Sequence, residues 1–283
     1  MNVEIAFIGG TGMYSSEEMV NARSVSIQTP FGNSPCEMIV GEISGKDCAF
    51  LPRHGVGHTI SPTNVNSRAA IYALKTLGVT NIVSISAVGS LQEHIRPLDI
   101  VMPSQIYDRT KFRPNTFFDD IVVHVNFADP FCKSISEALH NVALDLGCNV
   151  RMGGTYICIE GPQFSTRAES GVYRQMGFDI IGMTGIPEAK LAREAEICYG
   201  TLTTVTDYDV WHEGGISAEM IVNNVRKNDE ITQKIIKNVV EKLPATDETC
   251  GCQNALKKAI MTNLDDIPNE VKQRLQPIIG RYL

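Results

Sequence analysis

The sequence contains no apolar run that approaches the roughly 20 residues a helix needs to span a bilayer. It also has no excess of basic charge, because 25 Lys and Arg stand against 32 Asp and Glu, which gives a formal net charge of −7. Neither a nucleic acid nor a membrane is therefore expected as a partner. The first residues, MNVEI, include no basic segment ahead of an apolar one, so we expect a cytoplasmic location.

No stretch rich in Pro, Gly or Ser and no internal repeat divides the 283 residues. Since 43% of them are hydrophobic and only 20% are charged, the chain can bury a large core. The sequence therefore predicts a single domain over residues 1–283, with a C-terminal helical extension from about residue 245.

Short apolar segments alternate with helical patterns along most of the chain. The pattern predicts a first strand over 3–8, a helix over 64–77 and a buried strand over 82–87. The alternation continues to a strand over 199–205 and a long amphipathic helix that Ser217 would cap. Such alternation is typical of an α/β fold, with a largely parallel or mixed central sheet flanked by helices.

The eight cysteines are mostly isolated within apolar segments, where a reduced thiol behaves as a small hydrophobic group. Cys250 and Cys252 are the exception, because a CxC pair between Thr and Gln is expected to be exposed. No second pair of Cys or His stands near them in the sequence, so the pattern predicts no zinc site and no other metal site.

Ligands of open α/β sheets bind beyond the carboxyl ends of the strands, so polar residues that follow the strands are candidates. In the loop Gly9-Gly10-Thr11-Gly12, backbone N–H groups and the Thr11 hydroxyl could approach an anion, although an ordinary tight turn is an equal interpretation. Arg53 and His54 follow in a Pro- and Gly-bounded loop. The Arg53 guanidinium suits phosphate, but a surface charge beside a structural histidine is the simpler interpretation.

Three later segments carry further candidates. Ser86 and Ala87 end a buried strand, where a simple glycine-permitted turn is the alternative. Phe164 could offer a flat face to a planar ligand, or it could belong to the core. Asp207 and Asp209 end a strand too apolar to need them, which indicates proton donation or hydrogen bonding to a base, and a surface loop is the alternative, more for Asp209 than for Asp207.

Taken together, these segments resemble the trimeric purine nucleoside phosphorylase superfamily over nearly the whole chain, and more closely its 5′-methylthioadenosine phosphorylase branch. The order and spacing of the blocks make the resemblance specific. The matching blocks are 8–12 (IGGTG), 53–55 (RHG), 87–91 (AVGSL), 159–169 (IEGPQFSTRAE), 183–184 (MT), 187–188 (PE) and 206–211 (TDYDVW).

The resemblance implies the nucleoside phosphorylase fold and the phosphorolysis of 5′-methylthioadenosine to adenine and 5-methylthioribose 1-phosphate, a step of purine and methionine salvage. Inorganic phosphate would be a co-substrate, and no metal or organic cofactor is implied. The implied assembly is a homotrimer or a dimer of trimers. The positions implied to hold phosphate are Thr11, Arg53, His54, Ser86, the backbone of Ala87, and Thr184.

The resemblance also implies the contacts of the nucleoside. Phe164 would stack near the base, Met183 would line the ribose, and Asp209 would face the purine beside Asp207, the implied proton donor to N7. Relatives that prefer 6-oxopurines carry Glu and Asn where this chain has Ser165 and Asp207, which favours a 6-aminopurine. Gly185-Ile186 replaces the Thr-Val of the animal enzymes, and some bacterial relatives with Gly at this position act on methylthioinosine, so a 6-oxopurine or methylthioinosine phosphorylase remains the alternative.

The same resemblance places an apolar pocket for the 5′ substituent at Ala218 and Ile221 of the long helix. His124 would cap the 5′ end of the site in a neighbouring subunit. The Cys250-Gly251-Cys252 segment is similar to the C-terminal CxC of some archaeal relatives, in which a disulfide would restrain the tail.

The residues also bear on two other classes of protein. A nicotinamide-dependent oxidoreductase would also begin with a strand and a glycine loop, but neither G-x-G-x-x-G nor an acidic residue ending the second strand is present. A non-catalytic nucleoside-binding module stays open, although such a module has no use for a phosphate-binding set.

Overall fold

The computed structural model describes residues 3–10, 19–33, 37–212, 218–243 and 250–283. The strands are β1 (Ile5–Gly9), β2 (Val20–Val25), β3 (Gln28–Thr29), β4 (Gly32–Asn33), β5 (Met38–Ile43), β6 (Lys46–Pro52), β7 (Asn81–Ser90), β8 (Ile100–Met102), β9 (Gln105–Arg109), β10 (Val150–Met152), β11 (Thr155–Ile159), β12 (Ile180–Gly182) and β13 (Cys198–Asp207). The helices are α1 (Ser67–Thr76), α2 (Lys133–Asp145), α3 (Arg167–Gln175), α4 (Glu188–Glu194), α5 (Ala218–Lys242), α6 (Asn269–Arg274) and α7 (Gln276–Ile279).

Eleven strands form one mixed sheet, whose main path runs β10-β8-β13-β7-β1-β6-β5-β2. The central strands β6, β1, β7 and β13 run parallel, so their carboxyl ends lie at one edge. A second branch joins the sheet there, because β12 pairs antiparallel with the end of β7 and parallel with β11. The predicted α/β fold with a mixed central sheet is confirmed.

The predicted strands are also confirmed, and two of them are longer than the apolar pattern indicated. The strand predicted over 82–87 runs from Asn81 to Ser90, and the one predicted over 199–205 runs from Cys198 to Asp207. Every residue of β13 is buried. Its register against β7 shifts between Val205 and Asp207, and such a bulge turns side chains in a new direction at the end of a strand.

Side chains that satisfy free backbone N–H groups fix where the helices begin. Asn66 caps α1 by accepting from the N–H of Ala69, and Thr166 forms a capping box with Glu169 at the start of α3. The Ser217 cap predicted for α5 lies outside the described residues. Within the described part of the chain, every helix is too short or too polar to cross a bilayer.

The last segment, residues 250–283, packs against the body of the protein. Leu256, Val271 and Leu275 join a buried cluster that also contains residues of α1, and the Tyr72 hydroxyl donates to the carbonyl oxygen of Arg274 at 2.8 Å. The predicted start of a C-terminal extension, near residue 245, lies outside the described residues. The single domain over 1–283 stays a prediction.

The exposed setting predicted for the CxC pair is wrong. Cys252 is buried and Cys250 is half-buried, because residues 250–283 fold back over the starts of α2 and β13. Cys132 and Cys198 stand at those two starts, and all four sulfur atoms lie within 4.8 Å of one another. The cysteines that the sequence places far apart are therefore neighbours in space.

Candidate active site

A cavity of about 380 Å³ opens at the carboxyl edge of the central strands, where ligands of open α/β sheets bind. It also borders on α5 and on the segment that leads from β11 to α3. Most of the predicted site residues line it, and these are Arg53, His54, Ser86, Ala87, Phe164, Ser165, Met183, Thr184, Asp207, Asp209 and Ile221.

Among the described residues that line the cavity, three of the predicted ones do not appear. Thr11 lies outside the described residues. Ala218 begins α5, but its side chain is outside the described part of the chain. His124 is exposed, and its backbone N–H donates to the carbonyl oxygen of Ala259 at 2.9 Å. Its predicted contact with a neighbouring subunit's site stays a prediction.

Arg53 is buried in a charge pair that was not predicted. Its Nε lies 2.5 Å from Glu188 Oε1 and its Nη2 lies 3.1 Å from Oε2, which is a bidentate pair. Burial alone would lower the pKa of Arg53, but the Glu188 carboxylate raises it above the ordinary value. The pair is therefore ionised, and Glu188 neutralises much of the charge that an anion would meet.

Glu188 receives further hydrogen bonds at the start of α4. Its Oε2 accepts from the Tyr199 hydroxyl at 2.9 Å and from the Ser84 hydroxyl at 3.1 Å. Burial alone would raise the pKa of Glu188, but Arg53 holds it below the ordinary value. The Pro187-Glu188 pair belongs to a segment matched in the sequence, yet its partner is 135 residues away and no local pattern reveals it.

Ser86 lies on β7 and Thr184 lies in the segment that follows β12, yet their side chains meet. Thr184 Oγ1 donates to Ser86 Oγ at 2.7 Å, and the backbone N–H of Thr184 donates to the Tyr156 hydroxyl at 3.1 Å. Ala87, next to Ser86 on β7, is exposed at the cavity. Together these groups form a cluster of small donors that suits an oxyanion.

His54 is a neutral imidazole at ordinary pH. Burial, with the nearby charge of Arg53, lowers its pKa to about 4. Its Nδ1 lies 2.9 Å from the carbonyl oxygen of Ile60, so Nδ1 carries the hydrogen and Nε2 is left as an acceptor. A neutral ring in this tautomer can accept a hydrogen bond from a protonated phosphate oxygen, but it adds no positive charge.

Asp207 and Asp209 lie side by side after the bulge in β13. Asp207 Oδ2 is 2.6 Å from the Thr206 hydroxyl, and Asp207 Oδ1 accepts the backbone N–H of Asp209. Asp209 Oδ2 accepts from the Ser170 hydroxyl on α3 at 2.5 Å. Burial, with a contribution from the Asp207 charge, raises the pKa of Asp209. Nothing in the sequence indicated the contact between Ser170 and Asp209.

One wall of the cavity is apolar. Ile221 and Val225 stand one turn apart on α5 and both face the cavity, with Asp229 one further turn along. Burial raises the pKa of Asp229. Neither Val225 nor Asp229 was predicted, although their spacing from Ile221 is the signal that could have found them.

Phe164, Ser165 and Met183 also line the cavity. Phe164 is 62% exposed at the mouth of the cavity, whereas Ser165 is buried. Within the described residues, Ser165 Oγ has no hydrogen-bond partner. Met183 lies against Gly161, where an added Cβ would stand 2.5 Å from its sulfur, so the close approach requires glycine.

Arg113 fixes the loops that carry these residues, and it was not predicted. Its guanidinium donates to the carbonyl oxygens of Met183, Ile186 and Glu160 at 2.6 to 2.8 Å. The segments that follow β11 and β12 are thereby held at a fixed separation. The contacts are long-range in sequence, which is why no motif pointed to Arg113.

The chain is similar to known proteins over nearly its whole length. The family model described as the phosphorylase superfamily matches residues 4–241. An S-methyl-5′-thioadenosine phosphorylase of Geobacter sulfurreducens is 49% identical over 287 residues, which cover 100% of both chains.

Two solved structures extend the comparison. A methylthioadenosine phosphorylase from an Antarctic soil metagenomic library has a TM-score of 0.92 at 47% identity, over 98% of this chain and 99% of that one. The Schistosoma mansoni methylthioadenosine phosphorylase in complex with adenine has a TM-score of 0.85 at 33% identity, over 92% and 99%. The chain belongs to the S-methyl-5′-thioadenosine phosphorylase family of the phosphorylase superfamily.

Proposed function

We propose that this protein catalyses the phosphorolysis of 5′-methylthioadenosine to adenine and 5-methylthioribose 1-phosphate. The observation that carries the proposal is one cavity that joins a cluster of small donors, a carboxyl pair and an apolar wall. We assign these three surfaces to phosphate, to the purine and to the methylthio group. Phosphate itself is the nucleophile, so the proposed reaction needs no organic cofactor.

The two polar ends of the cavity are separated by about the length of a nucleoside. Ser86 marks the donor cluster, and an added Cβ on Gly89 would lie 3.0 Å from Asp207 Oδ1. Ser86 and Gly89 are three positions apart on β7, which corresponds to about 10 Å at the rise of a strand. Phosphate would therefore lie at the Ser86 end, with the purine at the Asp207 end.

This placement matches the charges that develop as the glycosidic bond breaks. The sugar becomes positive and the departing purine becomes negative, so an anion at the sugar and a donor at the base both stabilise the transition state. Ser86, Thr184 and the Ala87 backbone would hold the anion. We propose that Asp207 donates to the purine, with Asp209 buried behind it.

Other residues that line the cavity support the proposed purine base and the proposed 5′ substituent of the sugar. Ser165 carries a buried hydroxyl without a partner in the described residues, and a polar edge of the purine would satisfy it. Ile221 and Val225 favour a methylthio group, because a 5′-hydroxyl against them would lose its hydrogen bonds to water.

The proposed assembly is a homotrimer or a dimer of trimers in which His124 reaches a neighbouring site. His124 is exposed on its own chain, as this role requires. Sedimentation would measure the oligomeric state. The variant His124→Ala should then raise the KM for methylthioadenosine, with little change in the KM for phosphate.

The activity is tested by incubating the protein with methylthioadenosine with and without phosphate. Adenine should appear only with phosphate, together with a sugar phosphate visible by phosphorus NMR. The double variant Ser86→Ala with Thr184→Val should raise the phosphate KM, whereas Ser136→Ala, a buried serine of α2 away from the cavity, should not. Equal adenine release without phosphate would indicate hydrolysis. Release from methylthioinosine alone would favour the 6-oxopurine alternative.

A further inference from the structure

Four cysteines meet at the end of the sheet opposite the cavity. Cys132 precedes α2, Cys198 begins β13, and Cys250 and Cys252 belong to the C-terminal segment. Cys132, Cys198 and Cys252 are at most 2% exposed, and Cys250 is half-buried. Since β13 has ten residues, the cluster and Asp207 are about 30 Å apart along the strand.

The separations of the sulfur atoms match a tetrahedron around a zinc ion. All four lie within 4.8 Å of one another, and Cys198 Sγ is 3.4 Å from Cys250 Sγ. With Zn–S bonds of about 2.3 Å, the edge of a tetrahedral ZnS₄ unit is about 3.8 Å. A disulfide would instead require about 2.05 Å between two sulfurs.

The backbone lets both cysteines of the CxC segment take part. Gly251 has φ 70, in the left-handed region, and it begins a short turn that Cys252 enters. This conformation is open to glycine at little cost. It permits two ligands from a spacing shorter than the usual two to four intervening residues.

Two positive features lie near the cluster, at Cys132 and at Cys252, and both favour thiolates. The backbone N–H groups of Ser134 and Ile135, in the first turn of α2, lie at Cys132, and the positive end of the helix dipole points the same way. The charge of Arg193 acts on Cys252, and its guanidinium is held by the carbonyl oxygen of Asp129 at 2.6 Å. Such contacts orient and support metal-bound thiolates.

We propose that Cys132, Cys198, Cys250 and Cys252 bind one structural Zn²⁺ ion that fastens the C-terminal segment to the sheet. Each thiol releases its proton to solvent as it binds the metal. All four ligand positions come from the protein, which is the closed arrangement of structural rather than catalytic zinc. Glu196 also holds the C-terminal segment, because it accepts from the N–H of Leu256 and from the Tyr282 hydroxyl. The zinc ion would add a second attachment of the same segment.

The first test measures metal in protein purified under reducing conditions without added zinc or chelator. Inductively coupled plasma mass spectrometry should find about one zinc ion per chain. The Cys252→Ser variant should retain less than about a tenth of this zinc content. The matched control is Cys148→Ser, because Cys148 is half-buried but outside the cluster. It should keep the full zinc content.

A second measurement covers the case in which Cys252→Ser fails to fold. The unmutated protein is stripped with a chelator and refilled with Co²⁺ alone, and a tetrahedral thiolate site then gives intense sulfur-to-cobalt absorption bands. Removal of zinc should lower the melting temperature by about 5 °C or more, and Zn²⁺ alone should restore it.

Two results would overturn the proposal. One is that the purified protein contains no metal, that all four thiols of the cluster can be titrated, and that adding Co²⁺ gives no thiolate-to-cobalt absorption. The other is protein whose intact mass shows two disulfides among these cysteines after purification without reductant, with no zinc bound under reducing conditions.

Discussion

The backbone N–H of Asp209 donates to Asp207 Oδ1 at 2.8 Å, which ties the two carboxyl groups of the cavity together. Because a hydroxyl also lies 2.6 Å from Asp207 Oδ2, both oxygens of Asp207 are in contact with donors. Asp209 contacts Ser170 instead, and its pKa is raised by burial. The two acids therefore differ in environment, and their variants should differ in effect.

The variant Asp207→Asn tests the proposed proton donor. An amide cannot supply an acidic proton to N7 of adenine, so kcat for methylthioadenosine should fall by a factor of about 100 or more. An amide can still hydrogen-bond a 6-oxopurine, so activity on inosine should fall much less or rise. Steady-state kinetics on both substrates measures the difference.

Asp209→Asn is the matched control for that comparison. It keeps the size of the side chain and its contact with Ser170, and we expect it to preserve the ratio of the two activities. An equal loss on both substrates in Asp207→Asn, with purine binding retained, would mean that Asp207 assists catalysis without choosing the base. An unmutated enzyme that prefers inosine would contradict the proposed substrate.

Variants of the Arg53–Glu188 pair can distinguish an effect on stability from an effect on phosphate binding. Glu188→Gln leaves a buried guanidinium without its counter-charge, and such a change costs about 3 to 5 kcal/mol of unfolding free energy. The double variant Arg53→Met with Glu188→Leu removes both charges and should recover most of that stability. Denaturant unfolding measures both effects.

The same double variant should still bind phosphate poorly. If Arg53 donates to phosphate, its loss should raise the phosphate KM by about 10- to 150-fold, since a charged hydrogen bond contributes about 1.5 to 3 kcal/mol. A stable double variant with an unchanged phosphate KM would assign Arg53 a purely structural role.

The sequence predicted the framework of the site better than its charge pairs. Strand ends are marked locally, by an apolar run followed by polar residues, so the pattern itself predicted Ser86 and Asp207 as candidates, and the family resemblance added Thr184; all three line the cavity. Glu188 was not predicted beside Arg53, because tertiary folding brings together residues that are 135 positions apart. For the same reason the sequence did not predict that Cys132 and Cys198 lie beside Cys252, because only the folded chain brings these cysteines together.

The apolar wall of α5 should decide between methylthioadenosine and adenosine. Ile221→Thr keeps a branched side chain but offers a hydroxyl to the 5′-hydroxyl of adenosine. A buried polar group left unpaired costs about 1 to 3 kcal/mol, so the ratio of kcat/KM values should shift toward adenosine by about 5- to 150-fold. Val222→Thr is the control, since Val222 is 49% exposed and does not line the cavity. A variant with an unchanged ratio would place the 5′ group elsewhere.

His54 should make stability depend on pH in a defined direction. Burial, with the charge of Arg53, lowers its pKa from 6.5 to about 4, so the folded protein binds this proton more weakly than the unfolded chain does. The stabilising contribution is therefore complete above about pH 6.5 and is lost as the pH falls toward 4. NMR of the imidazole should show a midpoint near 4, and His54→Asn should reduce the slope of unfolding free energy between pH 6.5 and 4. A midpoint near 6.5 in the folded protein would contradict this account, and His54 would then carry charge toward phosphate.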